Sequence, residues 1–129
     1  MRHDPLNDII NTIKNASRIG MNEIEIGPAG RLTGSVLKVM QEHNYLKSFE
    51  VIENNMGGKF KITLNTTINN CGSIKPRYAV KHINLDKFES RYLPAQDFGI
   101  LIMTTTKGVM SHVKARKEGI GGKLLAYIY

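Results

Sequence analysis

Thr104, Thr105 and Thr106 stand in a row and are followed directly by Lys107 and Gly108. Three hydroxyls can donate to phosphate oxygens or ribose 2′-hydroxyls and accept from base edges, while Lys107 adds a point charge. Within residues 99–123, Lys107, Lys114, Arg116, Lys117 and Lys123 face only Glu118, a local excess of four positive charges. Gly121 and Gly122 interrupt this basic stretch, and glycine lets a ligand come close to the backbone. An amphipathic helical turn or two carrying Met110, His112, Val113, Lys114, Arg116 and Lys117 is expected to follow Gly108 directly. Its free N–H groups and positive dipole end would then face the same ligand. The chemistry this set can do is the gripping of an anionic backbone, RNA first. Threonine runs also occur in ordinary strands, because β-branching suits the pleat. Position favours binding, since the run lies where the apolar segment 99–103 ends and a glycine-containing turn begins.

Catalytic readings find less support. The stretch GIGGK at 119–123 resembles a nucleotide loop, but Lys117 and Leu124 occupy the places of the required glycine and Ser/Thr. His3, His43, His82 and His112 are far apart, with no pair at a helical ligand spacing. They read as surface or structural histidines. Cys71 lies in a polar stretch and is expected in a loop without an adjacent activating base. A small hydrolase or nuclease using Cys71 or a histidine is the rival from another class. No cofactor is implied.

The chain has 129 residues, enough for one globular unit or two small lobes. One cysteine excludes an intrachain disulfide and a thiolate zinc site, which fits a cytoplasmic setting. No apolar run approaches a membrane span, so no membrane partner is expected. Net charge is +7, and its distribution is uneven. Residues 1–70 carry eight Lys/Arg against seven Asp/Glu, whereas residues 71–129 carry ten against four. A surplus confined to one half fits either a polyanion-binding face or a solvated basic surface.

The elements that must position these groups follow from periodicity. Asp4 can cap a helix that Pro5 opens, with Leu6, Ile9, Ile10, Ile13 and Ala16 recurring at helical spacing and Gly20 ending it. Lys14 and Arg18, four residues apart, project from one side of that helix. A strand over 21–26, a loop at 27–30 with Arg31 at its exit, and a second helix ending near Asn44 come next. Two strands, 45–53 and 59–64, flank a hairpin turn at 54–58. Residues 65–77 are polar and poorly periodic. The expected fold class is therefore α+β in two small lobes, α-β-α-β-β over 1–67 and mostly β with short helices over 68–129. In the second lobe, 78–83 reads as a strand and 86–90 as a short helix, with strands from Gly99 and over 123–129. Arg77 and Tyr78 follow Lys75-Pro76; the pair could grip a phosphate and stack on a base, or Tyr78 could be a half-buried strand residue.

Three blocks resemble one known family. The block GILIMTTTKGVMSHVKAR (99–116), the opening DPLNDIINTIKNA (4–16), and PAQDFG (94–99) with GGKLLAYIY (121–129) are similar to small-subunit ribosomal protein number eight, the uS8 family, in its archaeal and eukaryotic form. The resemblance spans essentially the whole chain. It implies a two-lobe structural protein that binds the central domain of 16S rRNA during subunit assembly. The second lobe would grip an irregular helix with unpaired core bases through Thr104, Thr105, Thr106, Lys107 and Gly108. The opening helix and the loop after the first strand would add Asp4, Pro5, Lys14, Asn15 and Arg31. Neighbouring small-subunit proteins are implied partners, and some family members also bind their own operon message. Bacterial relatives often carry Ser-Thr-Ser at the hydroxyl run and a Glu where Lys123 stands, so no interaction of that acid is carried over.

On this reading Thr105 supplies a selective hydroxyl, whereas the cations attract any RNA. Lys117→Ala should weaken all RNAs alike and lower the log–log salt slope by roughly 0.7–0.9 for each phosphate that the lysine neutralises. Titrations of cognate and random RNA at several salt concentrations check this; a change confined to one RNA would contradict it.

Overall fold

A computed structural model describes residues 5–27, 30–52, 58–65, 68–74, 77–95 and 98–129. The Asp4 cap, the Pro28-Ala29 loop, the turn residues 54–57 and Lys75-Pro76 lie outside them. The chain divides into two compact units, Met1–Cys71 and Gly72–Tyr129.

In the first unit, helix α1 (Pro5–Ile19) leads to strand β1 (Glu23–Ile26), helix α2 (Arg31–Glu42), and strands β2 (Leu46–Ile52) and β3 (Lys59–Leu64). The order α-β-α-β-β is the one the periodicity gives. Leu6, Ile9, Ile10, Ile13 and Ala16 form the buried stripe of α1, and Val36, Leu37 and Met40 that of α2. Asn44 ends the second helical segment in the left-handed region at φ 67. The antiparallel sheet has the order β1-β3-β2, so the last strand in sequence is the central one. That strand alternates Phe60, Ile62 and Leu64, all buried, with more exposed residues. Each such side chain contributes about 1.5–3 kcal/mol when fully buried.

The second unit contains strands β4 (Cys71–Ser73), which starts on the last residue of the first unit, and β5 (Ala79–Val80), then helix α3 (Leu85–Tyr92). Strands β6 (Ile100–Thr105) and β7 (Gly108–Ser111), helix α4 (His112–Glu118) and strand β8 (Gly122–Ile128) follow. The sheet order is β4-β8-β6-β7, with β5 also paired to β8. In β8, Leu124, Leu125, Ala126 and Ile128 are all buried, so neither face is solvated there. Helices α3 and α4 contribute Leu85 and Ala115 to a core with Leu101, Met103, Met110 and Leu124.

Three expectations need correction. The strand expected over 78–83 is only Ala79–Val80; a 3-10 turn (His82–Asn84) follows, closed by the Asn84 N–H on the Lys81 carbonyl at 2.9 Å. Cys71 is not in a loop but in β4, and is fully buried. Local sequence gave no strand signal there, because the pairing is supplied by β8, distant in the chain. Gly108 opens a strand rather than a helix, and Met110 lies in it. Helix α4 starts four residues later, where the Ser111 hydroxyl accepts from the Lys114 N–H at 3.3 Å.

A buried polar cluster ties both helices to the central strand. His112, with no exposed surface, accepts the Leu101 N–H on Nδ1 at 3.0 Å. Its proton therefore sits on Nε2, 3.0 Å from Oε2 of the buried Glu89. Arg116 donates to Glu89 Oε1 at 3.1 Å and to Asp86 at 2.8 Å. Burial pushes the Glu89 carboxyl up, but the hydrogen bonds from His112 and Arg116, with the charge of Arg116, outweigh it and hold the group below its ordinary range.

A depressed folded-state value stabilises the fold fully above the ordinary carboxylate range, and that contribution is lost as pH falls through the lowered value. Glu89→Gln keeps the shape and removes the charge, so it should cost about 1–3 kcal/mol at neutral pH. Acid titrations of thermal stability should show the variant losing less than the parent as pH drops; parallel acid limbs would contradict the assignment.

Candidate nucleic-acid interface

The hydroxyl run occupies the end of a β-hairpin. β6 pairs with β7 through Met103↔Met110, Thr104↔Val109 and Thr105↔Gly108, leaving Thr106-Lys107 as a two-residue turn. Neither turn residue takes positive φ, so Gly108, at φ +115, restores the strand twist that such a turn disturbs. The glycine is needed for the turn itself.

The three hydroxyls are not equivalent. Thr105 Oγ1 donates to the Gly108 carbonyl at 2.8 Å and accepts the Lys107 N–H at 3.1 Å. It locks the turn and has no proton left for a ligand. Among the described residues, the hydroxyls of half-buried Thr104 and exposed Thr106 make no hydrogen bond. The selective donor expected at Thr105 is therefore engaged within the chain, and Thr104 and Thr106 are the available ones. Sequence reasoning could not separate them, since which hydroxyl turns inward depends on the hairpin register.

The same register sorts the cations. Thr104 lies between Val109 of β7 and Lys123 of β8, and directly paired residues share a face of the sheet. Lys123 is therefore beside an unbonded hydroxyl. Lys114 and Lys117 are exposed on α4, which packs through Ala115 on the opposite, Met103-Met110 face. Lys107 bridges the two regions, with its Nζ 3.8 Å from Glu118 at the end of α4. The cations surround the hairpin end instead of forming one flat patch. Arg116 leaves this set, because Asp86 and Glu89 neutralise it. Both acids come from α3, outside the stretch in which only Glu118 opposed the cations.

The remaining candidates fall in different places. Gly121 and Gly122 let strands approach each other: a Cβ on Gly122 would strike the Thr104 carbonyl, and one on Gly121 the Val80 carbonyl. The Tyr78 ring is half-buried, 5.5 Å from that of Phe88, with the Arg91 guanidinium 5.9 Å from its centre. This favours the packed reading of Tyr78, although it precedes β5 rather than lying in a strand. Arg77 is exposed beside it. In the first unit, Lys14 is half-buried, while Asn15 and Arg31 are exposed. Pro5 is the first residue of α1, and the side chains at 4 and 5 lie outside the described residues.

Cys71 is unsuited to nucleophilic catalysis. Its thiol donates to the Ile10 carbonyl at 3.6 Å, and burial pushes its pKa up to about 12 against the opposing charges of Lys14 and Arg18. It remains a protonated thiol at neutral pH. His112 is likewise engaged on both ring nitrogens. Among the described residues no group of three or more His, Cys, Asp or Glu could hold a metal ion.

Comparison with known proteins gives a consistent match. The family model described as ribosomal protein S8 matches residues 4–129. The small ribosomal subunit protein uS8 of Thermoplasma volcanium is 72% identical and that of Picrophilus torridus 70% identical, each over the full length of both chains. The protein of the same name from Archaeoglobus fulgidus is 51% identical, again over the full length of both.

Because Thr105 locks the turn, Thr105→Val should speed exchange of the Lys107 amide by about tenfold while leaving the Met103 and Met110 amides protected. Hydrogen exchange resolved by residue measures this, and an unchanged Lys107 rate would show that the turn does not need the hydroxyl.

Proposed function

This chain belongs to the uS8 family of small-subunit ribosomal proteins, and from that premise we propose that it binds the central domain of 16S rRNA directly during assembly. As a family member it is a structural constituent of the cytoplasmic small ribosomal subunit and not an enzyme. The RNA target is an irregular helix whose unpaired core bases fit a protruding hairpin end. The observation that carries this reading is the placement of the Thr104 and Thr106 hydroxyls, unbonded within the described residues, beside Lys123 and Lys107.

Binding divides into two contributions. Lys107, Lys114, Lys117 and Lys123 attract any phosphate backbone, with an affinity that falls as salt rises. Thr104 and Thr106 present hydroxyls that can donate to or accept from 2′-hydroxyls and base edges, which discriminates one RNA shape from another. The hairpin is a short, cross-braced element, so these groups are held before the RNA arrives and less ordering entropy is lost on binding. The second unit supplies the main grip, and Lys14 and Arg31 of the first unit add their own interactions with the same RNA. Any RNA folded into the same shape would fit this surface, including a segment of the chain's own message.

Footprinting on a small-subunit rRNA fragment at two salt concentrations, with a random duplex as control, tests the reading. Protection of one irregular helix in the central domain should survive the higher salt. Thr106→Val should weaken that complex by about three- to tenfold and leave the random duplex unaffected. Equal, salt-fragile binding to both RNAs would reduce the basic unit to a general polyanion patch.

A further inference from the structure

A groove of about 580 Å³ in the first unit has α1 as one wall and the outer edge of β1 as the other. Thr12 and Ile19 line the helical wall, and Met21 stands where the chain turns into the strand. Ile19 is 73% exposed and Met21 47%, so the groove offers apolar surface to solvent. Its other wall carries Glu23, Glu25 and Lys61.

Among the described residues β1 pairs only with β3 and is an edge strand. The Leu64 N–H donates to the Asn22 carbonyl at 2.8 Å, and the register continues through Ile24↔Ile62 and Ile26↔Phe60. In an antiparallel ladder alternate residues turn their backbone groups toward the partner, so those of Asn22, Ile24 and Ile26 face β3. The N–H and C=O of Glu23 and Glu25 therefore point outward along the groove. Their side chains are exposed, and Lys61 approaches Glu23 at 3.4 Å. Among the described residues Glu25 has no ion pair.

We propose that this edge is a docking site for an extended segment of a neighbouring protein with alternating basic and apolar residues, added as a fourth strand beside β1. Its backbone would pair with Glu23 and Glu25, its basic side chains would face their carboxylates, and its apolar ones would cover Ile19 and Met21. RNA is disfavoured because the two carboxylates outnumber Lys61 on this wall and leave it net negative. A second copy is disfavoured too, since antiparallel β1–β1 pairing would set glutamates opposite glutamates. The inference rests on the small-subunit reading only in that the particle supplies the neighbour.

The test uses the full chain, assembled into small subunits, with the photoreactive p-benzoylphenylalanine in place of exposed Ile19. A second preparation carries the same probe at Thr106. The Ile19 probe should cross-link to an extended protein segment of the stated pattern, and Glu25→Lys should lower that yield by about fivefold. Cross-linking to rRNA, to another copy of this chain, or to nothing in particles where the Thr106 probe reaches rRNA would overturn the docking site alone. A Thr106 probe that misses rRNA counts against the RNA reading, and the Ile19 product still decides this one.

Discussion

The second unit depends on one buried hydrogen-bond chain, from the Leu101 N–H through His112 to Glu89 and on to Arg116. Each member satisfies another that would be costly to leave unpaired in a dry interior. The backbone amide of a central strand fixes the imidazole tautomer, and the imidazole fixes one carboxylate oxygen. The other oxygen takes the guanidinium. Because Glu89 is on α3 and both His112 and Arg116 on α4, the chain of hydrogen bonds joins two helices and a strand. The apolar packing of Leu85, Ala115 and Met103 pulls the same elements together without direction. The polar chain supplies the direction.

That constraint shapes the basic surface around the hairpin. Holding Arg116 inward on Asp86 and Glu89 removes its charge from the outer face of α4 and leaves Lys114 and Lys117 to carry it. Positioning α4 also brings Glu118 to Lys107, so the hairpin turn is braced from outside as well as by Thr105 from within. A hairpin braced in these two ways presents Thr104 and Thr106 in a fixed relation to Lys123. On the proposed function, general attraction and shape discrimination reside in different side chains of one small region.

The two units carry different surface chemistry. The second holds most of the surplus positive charge and an end rich in hydroxyls, which suits a polyanion. The first pairs an open strand edge with exposed apolar residues and two carboxylates, which suits an extended basic peptide.

The amino-acid sequence by itself determined the class of the fold, the five elements of the first unit, the last strand and the region of the hydroxyl-rich end. Those features follow from periodicity and composition, which act over a few neighbouring residues: the stripe from Leu6 to Ala16, the alternation of Phe60, Ile62 and Leu64, the threonine run before Gly108. Tertiary structure alone decided which groups meet across long separations. It placed Cys71 at the start of a strand, made Thr105 a lock on the turn with no proton left for a ligand, turned Gly121 and Gly122 to strand packing, and brought Asp86 and Glu89 onto Arg116. The physical reason is the same in each case. Backbone pairing and charge neutralisation depend on distance in space, and thirty residues of chain separate Asp86 from the guanidinium it binds.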